Sequence, residues 1–233
     1  MPAAALNLAP GTPGCFGKLP QRGDFLRRGL EAAVVEAWDD WIARGLSASR
    51  DAIGSDWTEL YLTAPVWAFV LGAGASVTGA AQAGILCPSA DRVGRCYPVA
   101  VVAPLAGPGD PDRRAAGDWF AEAEEAAVAV VEERLDPETF FARVARLGLP
   151  GFGAEARDLR LDGAGAPPEA LAPAIAAGGA GLWWTEGSEI VEPATLLCPR
   201  GMPDPARFAA LLDGSWAEHG WDVPARDPLE AAT

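Results

Sequence analysis

The sequence is poor in the side chains that carry most enzyme and metal chemistry. Its 233 residues include one histidine, His219, and four cysteines without a C-x-x-C pair: Cys15, Cys87, Cys96 and Cys198. No G-x-S-x-G elbow, H-E-x-x-H helix, Walker A loop or dinucleotide fingerprint is present, and a His-based triad would need His219 itself. Because these motifs are absent, we expect no catalytic residue and no cofactor. Because the cysteines and His219 lack the spacing of a zinc site, we also expect no metal. Cys87 and Cys96 could face each other across a hairpin, although reduced and buried thiols are the favoured interpretation.

The chain also lacks a long hydrophobic run. The longest apolar stretch, from Ala64 to Val77, is interrupted by Pro65, Gly72 and Gly74, and it is shorter than the roughly 20 residues that a membrane-spanning helix needs. The first residues show neither the basic region nor the apolar region of a secretory signal. We therefore expect a cytoplasmic protein.

Basic side chains are scarce, and the acidic excess is uneven. The net charge is −14; residues 1–105 carry 8 basic and 9 acidic side chains, whereas residues 106–233 carry 10 and 23. An acidic surface repels phosphate backbones, which disfavours nucleic acids and anionic membranes as partners. A partner with an acidic or phosphorylated surface would be steered to the nearly neutral first half. The simpler interpretation is that the acidic excess only keeps the protein soluble.

Hydrophobic periodicity predicts an α+β fold. Short apolar runs bounded by turn residues indicate strands, and amphipathic periods indicate helices. The predicted strands lie at 15–19, 66–71, 83–87, 97–103, 159–161 and 182–185, with 190–191 as a possible extension. The predicted helices lie at 31–50, 112–135, 136–148 and 204–214. Strands joined by short turns favour an antiparallel meander, which helices would cover on both faces in an α/β/α arrangement.

We expect this arrangement to form a single domain over residues 1–233. Its core would be residues 14–105, which bear the charged motifs described next. The acidic helical and C-terminal part would be residues 106–233. No stretch of the sequence is long enough and linker-like enough to separate two domains.

Two charged motifs stand out in the first half. The loop between the strands at 83–87 and 97–103 carries four polar candidates: Ser89, Asp91, Arg92 and Arg95. The turn after the first strand carries three charged candidates: Lys18, Arg22 and Asp24. Two arginines presented together could bind a carboxylate or phosphate, and the turn could form a patch that adjoins this loop. Alternatively, Asp91 and Arg95 lie four residues apart and could pair only to hold the loop, and Asp24 could only hold its turn.

These motifs resemble those of the TagF/ImpM family. Three blocks carry the resemblance, in the family's order and at similar separations: Gly14–Phe25, Tyr61–Phe69, and Pro88–Arg95 with the Tyr97-Pro98 that follows. The C-terminal half matches more loosely, through Leu182–Gly187 and Phe208–Leu212. Cys15 and Cys96 stand where the family pattern has aromatic residues, which makes the surface there less conventional.

The resemblance implies an accessory protein of the bacterial type VI secretion system. Members of this family act in the cytoplasm as post-translational negative regulators, in characterised systems through an FHA-domain scaffold protein, by binding and without catalysis. We expect the partner surface to lie on the two charged motifs and on exposed parts near Trp183 and Trp184. These tryptophans are adjacent, so a strand would point them to opposite faces.

A second hypothesis belongs to a different class of protein. A small-ligand sensor or an unrecognised hydrolase could use Asp24 and Asp91 as an acid–base pair. A deep pocket that brings both carboxylates to one small molecule would support it, whereas a shallow charged patch would favour the regulator.

Overall fold

The computed structural model describes residues 11–76, 78–107, 109–151 and 178–221. Within them, seven strands form one sheet in the order β2-β1-β5-β4-β3-β8-β9, and every neighbouring pair is antiparallel. A short parallel pair, β6 and β7, lies apart from this sheet. In chain order the strands are β1 (Gly14–Gly17), β2 (Leu26–Arg28), β3 (Trp67–Leu71), β4 (Gln82–Cys87), β5 (Val99–Pro104), β6 (Arg113–Ala115), β7 (Leu149–Gly151), β8 (Gly181–Thr185) and β9 (Ala194–Cys198).

Helices cover both faces of the sheet, which confirms the predicted α+β class. The helices are α1 (Ala32–Ile53), α2 (Trp57–Thr63), α3 (Ala116–Val131), α4 (Pro137–Val144) and α5 (Ala210–Asp213), with 3₁₀ turns at Gly54–Asp56 and Pro205–Arg207. The cores under α3 and α4 on one face, and under α1, α2 and α5 on the other, are separate hydrophobic clusters. No helix in the described parts of the chain is both long and apolar enough to cross a membrane.

The central strands β3, β4 and β5 form the predicted meander and are buried on both faces. Their sequences are therefore almost wholly apolar rather than alternating. Gly84 in β4 faces the ring of Phe69, and a Cβ atom there would collide with that ring and with the carbonyl of Val101. The glycine thus lets an aromatic side chain pack against the middle of the sheet.

Trp183 and Trp184 point to opposite faces of β8, as the strand geometry predicts. Trp183 packs among Trp38, Trp41 and Phe69 beneath α1. Trp184 packs edge-on against Phe120 of α3, with ring centroids 4.7 Å apart. Both indoles are buried, so their expected role on an exposed partner surface is wrong and they belong to the two cores.

Several element boundaries differ from expectation. The helix predicted at 112–135 begins only at Ala116, because residues 113–115 form β6 by pairing with β7. The helix predicted at 136–148 ends at Val144, and the last predicted helix is split into a 3₁₀ turn and α5. Residues 190–191 do not extend or pair with β8, because the Ser188 hydroxyl accepts the N–H groups of Ile190 and Val191 and holds them in a turn. The strand that pairs with β8 is β9. The strand predicted at 159–161 lies outside the described residues.

Candidate functional site

Sheet pairing brings the two charged motifs together. Because β1 pairs with β5, the turn that follows β1 lies beside the loop that precedes β5. The backbone N–H of Arg92 donates to the carbonyl of Arg22 at 3.0 Å and joins the two segments. The predicted patch of the 18–24 turn next to the Asp91–Arg95 loop is therefore present.

Asp91 lies at the centre of this junction and is buried. Its Oδ2 accepts from Lys18 Nζ at 3.1 Å and from Arg95 Nε at 2.6 Å. Its Oδ1 accepts the backbone N–H groups of Val93 at 3.1 Å and Arg95 at 3.0 Å. Each carboxylate oxygen thus has two donors, so the carboxylate has no room for a further ligand without breaking a bond.

The environment of Asp91 keeps it ionised. Burial on its own raises the pKa of this carboxyl, but the backbone N–H of Arg95, the Lys18 ammonium and the Arg95 side chain outweigh that effect. The net pKa lies far below the usual range of an aspartic acid. A carboxylate that stays ionised at physiological pH is a poor proton donor.

Arg95 crosslinks the two motifs. Besides its bond to Asp91, its guanidinium donates to the carbonyl of Gly23 at 3.0 Å. Gly94 supplies the left-handed turn, with φ 82°, that brings Arg95 back toward Asp91. The structure therefore has the Asp91–Arg95 pair in the loop-holding role.

Ser89 is also committed to holding the loop. Its hydroxyl donates to the carbonyl of Lys18 at 2.8 Å. The Tyr61 hydroxyl on α2 donates to the carbonyl of Ser89 at 3.1 Å and accepts the N–H of Ser89 at 3.2 Å. Burial raises the pKa of Tyr61 well above its ordinary value, so this hydroxyl stays protonated. Sequence reasoning missed Tyr61, because nothing in the local pattern links α2 to a loop 28 residues away.

The remaining motif residues face outward. We call Arg22, Asp24, Phe25, Arg92 and Val93 the Arg92 surface. Val93 is 71% exposed and Phe25 is 43% exposed. Arg22 is bonded to Glu138 of α4 at 2.9 Å, whereas within the described residues Arg92 and Asp24 have no side-chain partner. Sequence reasoning missed Phe25 and Val93. Each is an apolar residue within or next to a charged motif, and this pattern could have indicated an exposed contact.

The other candidate chemistry finds no support in the described residues. They contain no group of histidine, cysteine or acidic side chains arranged to hold a metal. The four cysteines are unpaired, and burial raises the pKa of the Cys15 and Cys87 thiols to about 12. Trp183 and Trp184 lie in β8, which β3 and β4 separate from β5 and from the Arg92 surface.

Comparison with known proteins identifies a protein family and a similar solved structure. Residues 14–147 match the family model of the TagF N-terminal domain, described as type VI secretion system-associated. The crystal structure of PA0076 from Pseudomonas aeruginosa PAO1 is similar to this chain with a TM-score of 0.69 and 33% identity, and the match covers 87% of this chain and 94% of that chain. A search of curated proteins found no match. All residues of the two charged motifs fall inside the matched family domain.

Proposed function

This chain belongs to the TagF family of type VI secretion system-associated proteins, and from that premise we propose that it is a non-enzymatic negative regulator of type VI secretion in the cytoplasm. It would act after translation by binding a component of the apparatus, such as its FHA-domain scaffold. Binding would withhold that component from assembly or firing.

The observation that carries this proposal is the contrast between the inner and outer side chains of the 88–95 loop. The inner side chains, Ser89 and Asp91, are consumed by bonds that fix the backbone. The outer side chains, Arg92 and Val93, are exposed and have no side-chain hydrogen bond within the described residues. A loop that is already ordered loses little conformational entropy on binding, which favours recognition.

The composition of the Arg92 surface suits a protein partner. Arginine and aromatic side chains are enriched at protein interfaces and often dominate their binding energy. Arg92 and the half-exposed Phe25 offer one of each, and Val93 adds apolar area. Arg92 would pair with an acidic or phosphorylated group on the scaffold, because a guanidinium binds such groups in a bidentate manner.

The alternative of a ligand sensor or hydrolase is less favoured. The Asp91 carboxylate is fully occupied and held ionised, while Asp24 is exposed and has no hydrogen bond to it. Two carboxylates in these states do not form a matched general acid and general base.

The test measures binding and secretion with the same variants. We expect the purified chain to bind the purified FHA-domain scaffold of its bacterium in calorimetry, and Arg92→Glu with Val93→Asp to weaken binding about tenfold or more. The melting temperature should not change, because neither side chain is bonded within the described residues. The control is Arg146→Glu, which makes the same charge reversal as Arg92→Glu on an exposed side chain after α4.

In cells, loss of the protein should raise type VI secretion, and the double variant should fail to restore repression. If the wild-type chain binds no secretion component, or its loss leaves secretion unchanged, the proposal is wrong. If the double variant binds as tightly as the wild type, the Arg92 surface is not the contact.

A further inference from the structure

A second surface lies at the other end of the sheet from the Arg92 surface. It is a groove of about 980 Å³ between α1 and the loop after β9. Leu71, the last residue of β3, and Gln82, the first residue of β4, line it. The 88–95 loop follows the opposite end of β4, so the groove is separate from the proposed regulator contact.

The outer wall of the groove is fixed by two buried indoles. Trp41 of α1 donates its Nε1–H to the carbonyl of Pro203 at 2.7 Å. Trp183 of β8 donates its Nε1–H to the carbonyl of Gly201 at 3.0 Å. These bonds hold the 199–205 loop at a set distance from the helix. The shape of the groove is therefore fixed by the fold.

Gln82 is the residue that points to a ligand. It is only 7% exposed, it lines the groove, and its side-chain amide makes no hydrogen bond within the described residues. Neither polar atom of the Gln82 amide is sealed from solvent, so the amide reaches the groove and is available to bond to an occupant there. A primary amide offers a donor and an acceptor side by side, which matches the N–H and C=O of a peptide backbone.

Two arginines at the rim of the groove, Arg200 and Arg207, have no carboxylate partner within the described residues. Arg200 is exposed and has no side-chain partner within the described residues. The guanidinium carbon of Arg207 lies 5.8 Å from the centre of the Trp221 ring. No carboxylate of the described residues pairs with Arg207. The carboxylate of Asp204 accepts the N–H of Ala206, and Asp40 pairs with Arg44 at 2.7 Å. Asp40 and Asp204 keep their negative charges, so the charged side chains that line the groove, Arg44, Arg200, Arg207, Asp40 and Asp204, sum to +1. On a chain of net charge −14, this local positive excess favours an anionic occupant.

We propose that this groove binds a short acidic peptide segment of a partner protein. Its carboxylates pair with Arg200 and Arg207, and one of its backbone peptide groups bonds to the Gln82 amide. An apolar side chain of the peptide packs on Met202, which lines the groove and is half-buried against the core under α1. This site is independent of the Arg92 surface, and either can exist without the other.

The test is a selection from a displayed library of random peptides against the full-length chain. Acidic sequences should be enriched, and an enriched peptide should bind in fluorescence anisotropy with an affinity that falls as salt rises. Arg200→Glu should weaken that peptide about tenfold or more. Gln82→Met removes the amide at similar length, and it should weaken binding severalfold without lowering the melting temperature.

Arg146→Glu, far from the groove on the other helical layer, is the matched charge control and should leave peptide affinity unchanged. The proposal is overturned if no peptides are enriched, if neutral or basic ones are, or if Arg200→Glu and Gln82→Met bind the enriched peptide as well as the wild type. It is also overturned if the groove serves a second copy of the chain. In that case light scattering would show a dimer that Arg200→Glu dissociates.

Discussion

Two loops at opposite ends of the sheet are held in place by different chemistry. The 88–95 loop is tied down by ions, because Asp91 gathers Lys18, Arg95 and two backbone N–H groups. The 199–205 loop is tied down by neutral bonds, because its carbonyls accept the indole N–H groups of Trp41 and Trp183. The first arrangement leaves the Arg92 surface on the outer side of its loop, and the second leaves the groove between its loop and α1.

The difference teaches how each surface responds to its surroundings. A carboxylate network depends on charge, so it responds to acid and to the removal of one member. An indole N–H does not titrate and belongs to a side chain that is anchored by a large apolar area. We therefore expect the Arg92 surface to be sensitive to pH and to single substitutions, and the groove to be robust.

The largest effect should come from Asp91→Ala. The substitution leaves the Lys18 ammonium and the N–H groups of Val93 and Arg95 without their acceptor in a partly buried position, which is unfavourable. We expect the melting temperature to fall by roughly 5–10 °C. The matched control is Asp24→Ala on the adjoining turn, since that carboxylate is exposed and has no partner within the described residues. If the two variants melt at equal temperatures, the Asp91 network does not stabilise the fold.

A smaller effect is expected for Trp41→Phe at the other loop. The change removes the donor to the Pro203 carbonyl but keeps an aromatic ring in the core. Trp38→Phe is the control, because Trp38 is equally buried in the same cluster and its indole makes no hydrogen bond within the described residues. Beyond the loss in the control, Trp41→Phe should reduce the free energy of unfolding by about 1–2 kcal/mol, measured by urea denaturation. Equal losses in the two variants would mean that packing alone holds the loop.

Sequence patterns predicted the central sheet well because its strands are buried on both faces. Continuous apolar runs identify β3, β4 and β5 without ambiguity. The edge strand β2 was missed, because three residues with two exposed arginines carry no such pattern. The strand β6 was absorbed into a predicted helix, because its identity depends on pairing with β7, which lies 36 residues further along the chain at the Arg113–Leu149 pair.

The candidate site was predictable only where its contacts are local. The Asp91–Arg95 spacing is visible in one motif, and the structure shows that pair at 2.6 Å. The bond between Ser89 and Tyr61 depends on how α2 packs against the sheet, which no local spacing reports. The Trp183–Trp184 pair looked like a surface because a tryptophan pattern in a strand does not reveal whether helices cover it, and here α1 and α3 do. The groove was missed for the same reason, since it joins α1 to a loop 162 residues away.

The smallest predicted effect is a difference between the two loops in how their stabilisation responds to acid. The pKa of Asp91 is lowered in the folded protein, so its contribution to stability is complete above the ordinary aspartate pKa of about 4 and is lost as the pH falls below that value. The difference in melting temperature between the wild type and Asp91→Asn should therefore be constant from neutral pH to about pH 5 and should shrink below about pH 4. The difference between the wild type and Trp41→Phe should be constant over the whole range, because an indole does not titrate.

Asp136 also contributes to the acid response, in the wild type and in every variant. Hydrogen bonds from the Thr139 side chain and backbone lower the pKa of Asp136, so it also loses stabilising charge in acid and lowers the melting temperature of every variant. Since Asp136 is present in all of the compared chains, its effect cancels in the differences. A difference for Asp91→Asn that stays constant down to the lowest pH would mean that the Asp91 site stabilises the loop by shape rather than by charge. The 88–95 loop would then be held in the same way as the 199–205 loop, and the expected pH sensitivity of the Arg92 surface would disappear.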